Sequence, residues 1–261
     1  MNAPLIELTY RHHISAAPSP DAYSMHTHNT YELLYFISGD ATYVIEDRKY
    51  KLKKGDLIIV RPLQYHFIQI DSSADYERFN ILFDPAMHGI EGVDLIPDSM
   101  EVINLTSNPI ADNLFQKCDL YRKECSKETF HRLLSHLISE LFYNISFFAD
   151  DQKGGETASL SPLISGALRY INENLCTVSG ITEIANHLFI SESYLFRIFK
   201  AELHQTPKNY ILGKRLTLAQ KRILSGEKPS VVATECGFGD YTVFYRNYVA
   251  RFGRSPSQEA R

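Results

Sequence analysis

The chain has 261 residues, a hydrophobic content of 44%, a charged content of 22% and a formal net charge of −4. This composition excludes a disordered or low-complexity chain, and the length leaves room for two domains, each with its own core. No apolar run reaches bilayer-spanning length and no cleavable leader is legible, so a cytoplasmic protein with no membrane contact is expected.

Residues 1–105 read as strands. Tyr31–Ile37, Ala41–Ile45, Lys49–Leu52, Asp56–Val60 and Arg78–Phe83 are rich in β-branched and aromatic residues. Turn signals such as Ser38-Gly39-Asp40, Lys53-Lys54-Gly55 and Arg61-Pro62 separate them. Many short strands at regular spacing predict an antiparallel barrel or jelly roll whose interior can hold a small ligand. Within this stretch lie His26-x-His28-x-x-x-Glu32, then Gly39, Gly55 and Pro62-x-x-x-His66. Residues two apart on a strand share a face, so His26 and His28 can both enter the barrel beside Glu32 and His66. The pattern resembles the cupin motifs, although the second lacks the glycine expected near Gln64. Three histidines and a carboxylate suit an octahedral divalent transition metal with positions open for a ligand. Without metal, the same four side chains line an effector pocket or bond one another. Tyr35, Tyr43, Arg61 and Gln64 are further candidates for that lining.

Residues 106–148 change to a helical period. A first helix over Pro109–Lys123 precedes a stripe of Leu134, Leu137, Ile138, Leu141, Phe142, Ile145 and Phe148. One barrel does not easily cover so long a stripe, so pairing of these helices between two chains is expected. Ala149–Ala158 is polar, glycine-bearing and aperiodic, and a linker over 149–160 follows. The four cysteines, Cys118, Cys125, Cys176 and Cys236, form no redox or metal motif and read as thiols of a reducing compartment.

Residues 161–261 hold one pattern twice. Leu195 aligns with Phe244, Arg197 with Arg246, Phe199 with Tyr248 and Pro207 with Pro256 at a constant offset of 49 residues. Each copy has a short helix carrying an alanine (Ala185, Ala233), a turn, and a second helix capped by Ser191 or Asp240. Two helices crossing steeply can approach only where a side chain is small, so this is a helix-turn-helix read twice. Gly237 suits a positive φ in the second turn, whereas Phe189 near that place predicts a differently built first turn. Leu195, Ile198, Phe199 and Leu203, and Phe244, Tyr248 and Phe252, form the core faces. The opposite faces present Ser193, Phe196, Arg197 and Lys200 in one copy and Tyr241, Thr242, Tyr245 and Arg246 in the other, groups able to reach base edges and phosphates in a major groove. From Ser161 onward there are 13 Lys and Arg against 8 Asp and Glu, so a basic module is attached to an acidic one. The helix between the copies, from Pro207 to Leu224, sets their separation.

The residues Gly237-Phe238-x-Asp240-x-Thr242-x-Phe244-x-Arg246-x-Tyr248 and Phe252-Gly253-x-Ser255-Pro256, with Ser191-x-x-Tyr194-Leu195-x-Arg197-x-Phe199-Lys200 upstream, resemble the DNA-binding domain of the AraC/XylS transcription regulators. His204, Val249 and the terminal Gln258-Glu259-Ala260-Arg261 depart from that pattern. The resemblance implies an α+β multidomain chain with a cupin-like sensor barrel, a helical dimerisation segment and an all-α double helix-turn-helix. It also implies a homodimer that binds promoter DNA under control of a small-molecule effector and, as an activator, meets RNA polymerase. Arg78-Phe79-Asn80-Ile81-Leu82-Phe83-Asp84-Pro85 is similar to the closing strand of family members that respond to sugars. The rival reading is a metal-dependent cupin enzyme with a regulatory DNA-binding tail.

Overall fold

In the computed structural model, residues 8–19, 23–148 and 157–259 are described. Strands β1 (Thr9–Ser15), β2 (Tyr31–Ser38), β3 (Ala41–Ile45), β4 (Arg48–Lys51), β5 (Asp56–Val60), β6 (His66–Ile70), β7 (Tyr76–Phe83), β8 (Val102–Asn104) and β9 (Thr157–Ser159) form two antiparallel sheets. Their orders are β1-β7-β2-β5-β8 and β6-β3-β4-β9. Period-two alternation sorts the side chains. Leu34, Phe36, Tyr43, Ile58, Ile68 and Tyr76 fill the space between the sheets. Their neighbours Leu33, Tyr35, Phe79, Ile81 and Phe83 point out of the five-stranded sheet.

Helices α2 (Pro109–Glu124) and α3 (Lys127–Phe148) cover that outer face; a short turn, α1 (Pro85–His88), ends the last long strand. Leu134, Ile138, Leu141, Phe142 and Ile145 of α3 are fully buried against it, and Phe115 of α2 stacks on Tyr35 at 4.3 Å. The apolar stripe expected to be shared between two chains is therefore satisfied within one. The outward aromatics of β2 and β7 give it a complementary surface that period-3.6 reading of the helix alone does not reveal. The hydrophobic side chains that α2 and α3 leave exposed include Leu120, Tyr143 and Phe147; the Phe148 side chain lies outside the described residues.

The end of the predicted linker is a strand. Residues 149–156 lie outside the described residues, but Thr157–Ser159 pair with β4 in the register Tyr50↔Thr157 and Arg48↔Ser159. Leu160 N–H then donates to the Asp47 carbonyl at 2.8 Å. An open strand edge offers unpaired N–H and C=O groups that even a weak strand former can satisfy.

The remainder is helical: α4 (Pro162–Glu173), α5 (Ile181–His187), α6 (Glu192–Leu203), α7 (Pro207–Leu224), α8 (Pro229–Glu235), α9 (Tyr241–Phe252) and α10 (Pro256–Glu259). Ser161, Ser191, Thr206 and Asp240 each accept a backbone N–H of the helix they open, each cap stabilising by about 1 kcal/mol. Leu195, Phe199 and Leu203 belong to one core, Phe244 and Tyr248 to another. Ala185 and Ala233 sit buried at the two helix crossings.

The first turn is built like the second. Phe189 adopts φ 55° where Gly237 has φ 84°. In both turns, successive N–H groups close on the preceding helix: Phe189 to Asn186 O and Ile190 to Ala185 O, Gly237 to Thr234 O and Phe238 to Ala233 O. The crossing geometry overrides the local cost of placing a β-carbon in the left-handed region, which is about 1–2 kcal/mol. Phe189 is 96% exposed, so its side chain returns little packing. Phe189→Gly should therefore raise stability by up to about 1 kcal/mol after the entropy cost of glycine in the unfolded chain. A lower urea midpoint for the variant would refute that reasoning.

Candidate functional site

The four residues singled out in the barrel come together. His26 and His66 face each other in an antiparallel bridge, with both backbone N–H···O=C bonds made. Ligand-capable atoms of His26, His28, Glu32 and His66 all lie within 4.8 Å of one another. His26 is at the open side, His28 is half-buried, and Glu32 and His66 are buried.

The hydrogen-bond pattern around this cluster is directional. The Nδ1 atoms of His26, His28 and His66 contact the carbonyls of Ser24, Thr30 and Gln64 at 2.9–3.0 Å. A carbonyl only accepts, so each Nδ1 carries a proton and each Nε2 is turned inward. His28 Nε2 lies 3.0 Å and His66 Nε2 3.3 Å from the same Glu32 Oε2. Buried His66 Nε2 has no aligned hydrogen-bond partner. Lone pairs facing a carboxylate repel, so the cluster needs positive charge, either a proton on an imidazole or a cation at the centre. Burial pulls the Glu32 pKa up, but the facing imidazoles of His28 and His66 outweigh it and hold the carboxyl well below its ordinary range. Its other oxygen accepts from Asn80 Nδ2 at 2.6 Å and from the buried Tyr43 hydroxyl at 3.4 Å. Imidazoles fixed through Nδ1 and a carboxylate held by a second partner are the donor set and outer support of a transition-metal site. The residues present fit such an ion.

Of the further lining candidates, only Tyr43 faces the cluster. Tyr35 points to the helix side and stacks on Phe115. Arg61 turns outward to the Pro97 and Met100 carbonyls and to Asp98, and Gln64 bonds Glu101. Sequence reading left out Asn80 as a partner of Glu32, and Arg78, whose guanidinium lies over the Tyr23 and Tyr76 rings with its buried Nε unpartnered. Alternation along β7 carries the signal, since Tyr76, Arg78 and Asn80 share the inward face.

At the other end, Ser193, Arg197 and Lys200 of α6 and Tyr241, Thr242, Tyr245 and Arg246 of α9 are exposed, while Phe196 is half-buried. The Arg197 guanidinium lies 4.9 Å from the centre of the Tyr194 ring, which steadies it. The Asp240 carboxylate, capping α9, is held below its ordinary pKa by the N–H groups of Val243 and Thr242. Arg215 of α7 ties the two units together. It donates to the carbonyls of Leu175 and Val178 beside the first unit and of Gly237 in the second turn, at 2.7–2.9 Å. A β-carbon on Gly237 would lie 2.4 Å from the Cys176 carbonyl, so glycine serves this close approach as well as the positive φ.

Residues 12–165 match the model of an AraC-like ligand binding domain, and residues 184–261 match that of a helix-turn-helix domain. The chain belongs to the AraC family of transcription regulators. Among its relatives, this AraC-family chain is 24% identical to the uncharacterized regulator YfiF of Bacillus subtilis over 245 residues, covering 89% of this chain and 77% of that one. Against the raffinose operon regulatory protein RafR of Pediococcus pentosaceus it is 24% identical over 236 residues, covering 88% and 84%. Against the transcriptional activator RhaS of Mannheimia succiniciproducens it is 20% identical over 248 residues, covering 89% and 87%. It is thus a ligand-responsive, DNA-binding transcription regulator, with a cupin-like β domain followed by a helical DNA-binding domain. No helix among the described residues is long and apolar enough to cross a membrane.

One feature of this AraC-family chain escaped sequence reading altogether: its two halves are docked. Glu46, in the β3–β4 turn, accepts from Lys214 Nζ at 2.6 Å, from Tyr65 N–H at 2.8 Å, from Asn172 at 3.3 Å and from the Tyr210 hydroxyl. The Tyr65 ring stacks on Tyr210 at 4.4 Å and is buried within the core of the first helix-turn-helix unit. Gly213 and Lys214 give the available hint, a helix-weakening glycine and a charge on the inner side of an otherwise regular helix.

Proposed function

We propose that the chain binds promoter DNA as a homodimer and activates genes of carbohydrate uptake or breakdown when a small effector, a sugar among the candidates, occupies the barrel. As an activator it would meet RNA polymerase. The observation that carries the DNA-binding part is the matched pair of exposed arginines, Arg197 and Arg246, at equivalent positions of two capped second helices. The carbohydrate assignment is supported by the name of the raffinose operon relative and by the mix of polar and aromatic side chains, Glu32, Tyr43, Tyr76, Arg78 and Asn80, on inward-facing strand positions. His26, His28, Glu32 and His66 are the effector-facing group, and a divalent transition metal held there would offer an open coordination position to a sugar hydroxyl or carboxylate. Ser193, Phe196, Lys200, Tyr241, Thr242 and Tyr245 complete the DNA-facing set.

The deciding experiment is capture of fragmented genomic DNA by the purified chain at moderate salt, followed by sequencing. Enrichment of a few sites upstream of transport or catabolic operons is expected; uniform recovery of all fragments would refute sequence-specific regulation. For the barrel, equilibrium dialysis against Zn²⁺ and Co²⁺ should give about one ion per chain for the four-donor set. His28→Ala should lose most of that uptake; equal uptake by variant and parent would remove His28 from the site.

A further inference from the structure

The cluster and the DNA-binding domain are separated by one layer of backbone. In the bridged segments around residues 25–28 and 65–67, alternation turns His26, His28 and His66 to the inside of the barrel. The intervening residues turn to the helices. Gln205, just past α6, donates to Met25 Sδ at 2.7 Å; Arg251 of α9 donates to the Thr27 carbonyl at 3.0 Å. Tyr65 stacks on Tyr210 of α7, and Phe67 meets the ring of His204 edge-on at 6.1 Å. This wall therefore touches the end of the first recognition helix, the helix joining the two units, and the second recognition helix. Each contact residue is next in sequence to a member of the cluster.

The fit at α7 leaves little slack. A β-carbon on Gly213 would lie 1.9 Å from the Tyr65 hydroxyl and 3.1 Å from its Cζ. The absence of a side chain at 213 is what lets the wall seat on the helix. Adjacent Lys214 engages Glu46 in the same contact.

We propose that this two-segment wall is the regulatory link of the protein. A change in the inner cluster shifts residues 25–28 and 65–67, and the seating of Tyr65 in the Gly213 notch, with Arg251 on Thr27, passes that shift to the placement of the two helix-turn-helix units. The proposal rests on reading the cluster as the effector-facing end. It is a coupling between two sites through a packed element that both contact, for which a change in affinity of about 5–150-fold is usual.

Hydrogen exchange of the full chain tests it, read on peptides covering residues 207–224 and 241–252. Two perturbations are applied from the inside: saturating Zn²⁺ on the parent, and Glu32→Gln without added metal. Either should change protection in both peptides severalfold. Gly213→Ala, which favours the helix but blocks the notch, should bind Zn²⁺ like the parent yet no longer transmit the change. Adding Tyr65→Phe to it, which removes the clashing oxygen, should restore transmission. Undiminished transmission in Gly213→Ala would overturn the proposal, as would a Glu32→Gln chain whose 207–224 peptide exchanges like the parent's. A parent that takes up no Zn²⁺ would refute the metal site alone, and the Glu32→Gln comparison, with and without Gly213→Ala, would then decide the wall.

Discussion

Glu46→Ala should undock the two halves and split unfolding into separate transitions. In the docked chain Lys214 is 7% exposed and Glu46 15% exposed, so the variant leaves a nearly buried ammonium without its counter-charge and strands the Tyr65 N–H and the Tyr210 hydroxyl. Breaking such a pair costs about 3–5 kcal/mol. The helical domain has an escape, because separation from the barrel returns Lys214 to water. The loss is therefore capped by the docking free energy and shows as independent domain melting rather than global collapse. Calorimetry of parent and variant checks this; one transition with an unshifted midpoint in both would show that the contact contributes nothing. Pairing Glu46→Met with Lys214→Leu should recover most of the docking, since two apolar groups of similar volume leave no charge behind.

Arg246→Ala and Arg197→Ala should each weaken binding to the specific site by about 1–3 kcal/mol, the usual worth of a bidentate contact to a base edge. Both side chains project from exposed helix faces whose opposite sides are locked by buried Phe199, Phe244 and Tyr248, so truncation removes a contact without opening a core. Anisotropy titrations on the captured site and on a scrambled duplex separate two roles. A loss confined to the specific site assigns base reading, whereas equal losses on both assign phosphate contact. No loss on either would remove the arginine from the interface. Because Arg215 fixes the spacing of the units, the double variant should lose close to the sum of the single losses if both arginines engage one duplex.

What was legible in the sequence followed from periodicity and caps. The duplicated caps, core faces and crossing alanines are local patterns, and the structure has the two helix-turn-helix units where they predict them. The His-x-His spacing and the barrel strands were legible because alternation is a local rule. The fate of the α3 stripe was not, since what covers it is the outer face of β2 and β7, far away in the chain. The Phe189 turn misled because local propensity disfavors what the crossing geometry requires. Glu46, Tyr65 and Lys214 could not be paired by any local rule, as nothing near Glu46 in sequence indicates that Lys214 will lie 2.6 Å away.

The strand at Thr157–Ser159 bears on how sensors and DNA readers of this architecture can be exchanged. It belongs by hydrogen bonding to the barrel, yet Leu160, which follows it, is packed in the core of the first helical unit. A hybrid protein joined between Phe148 and Thr157 would carry this strand away with the helical half and leave the β4 edge of the donor barrel bare, open to pairing with another molecule. A junction placed after Ser159 would keep the β4 edge paired but take Leu160 from a foreign chain. Leu160 is thus shared by both halves, its N–H bonded to the Asp47 carbonyl of the barrel and its side chain packed in the first helical core.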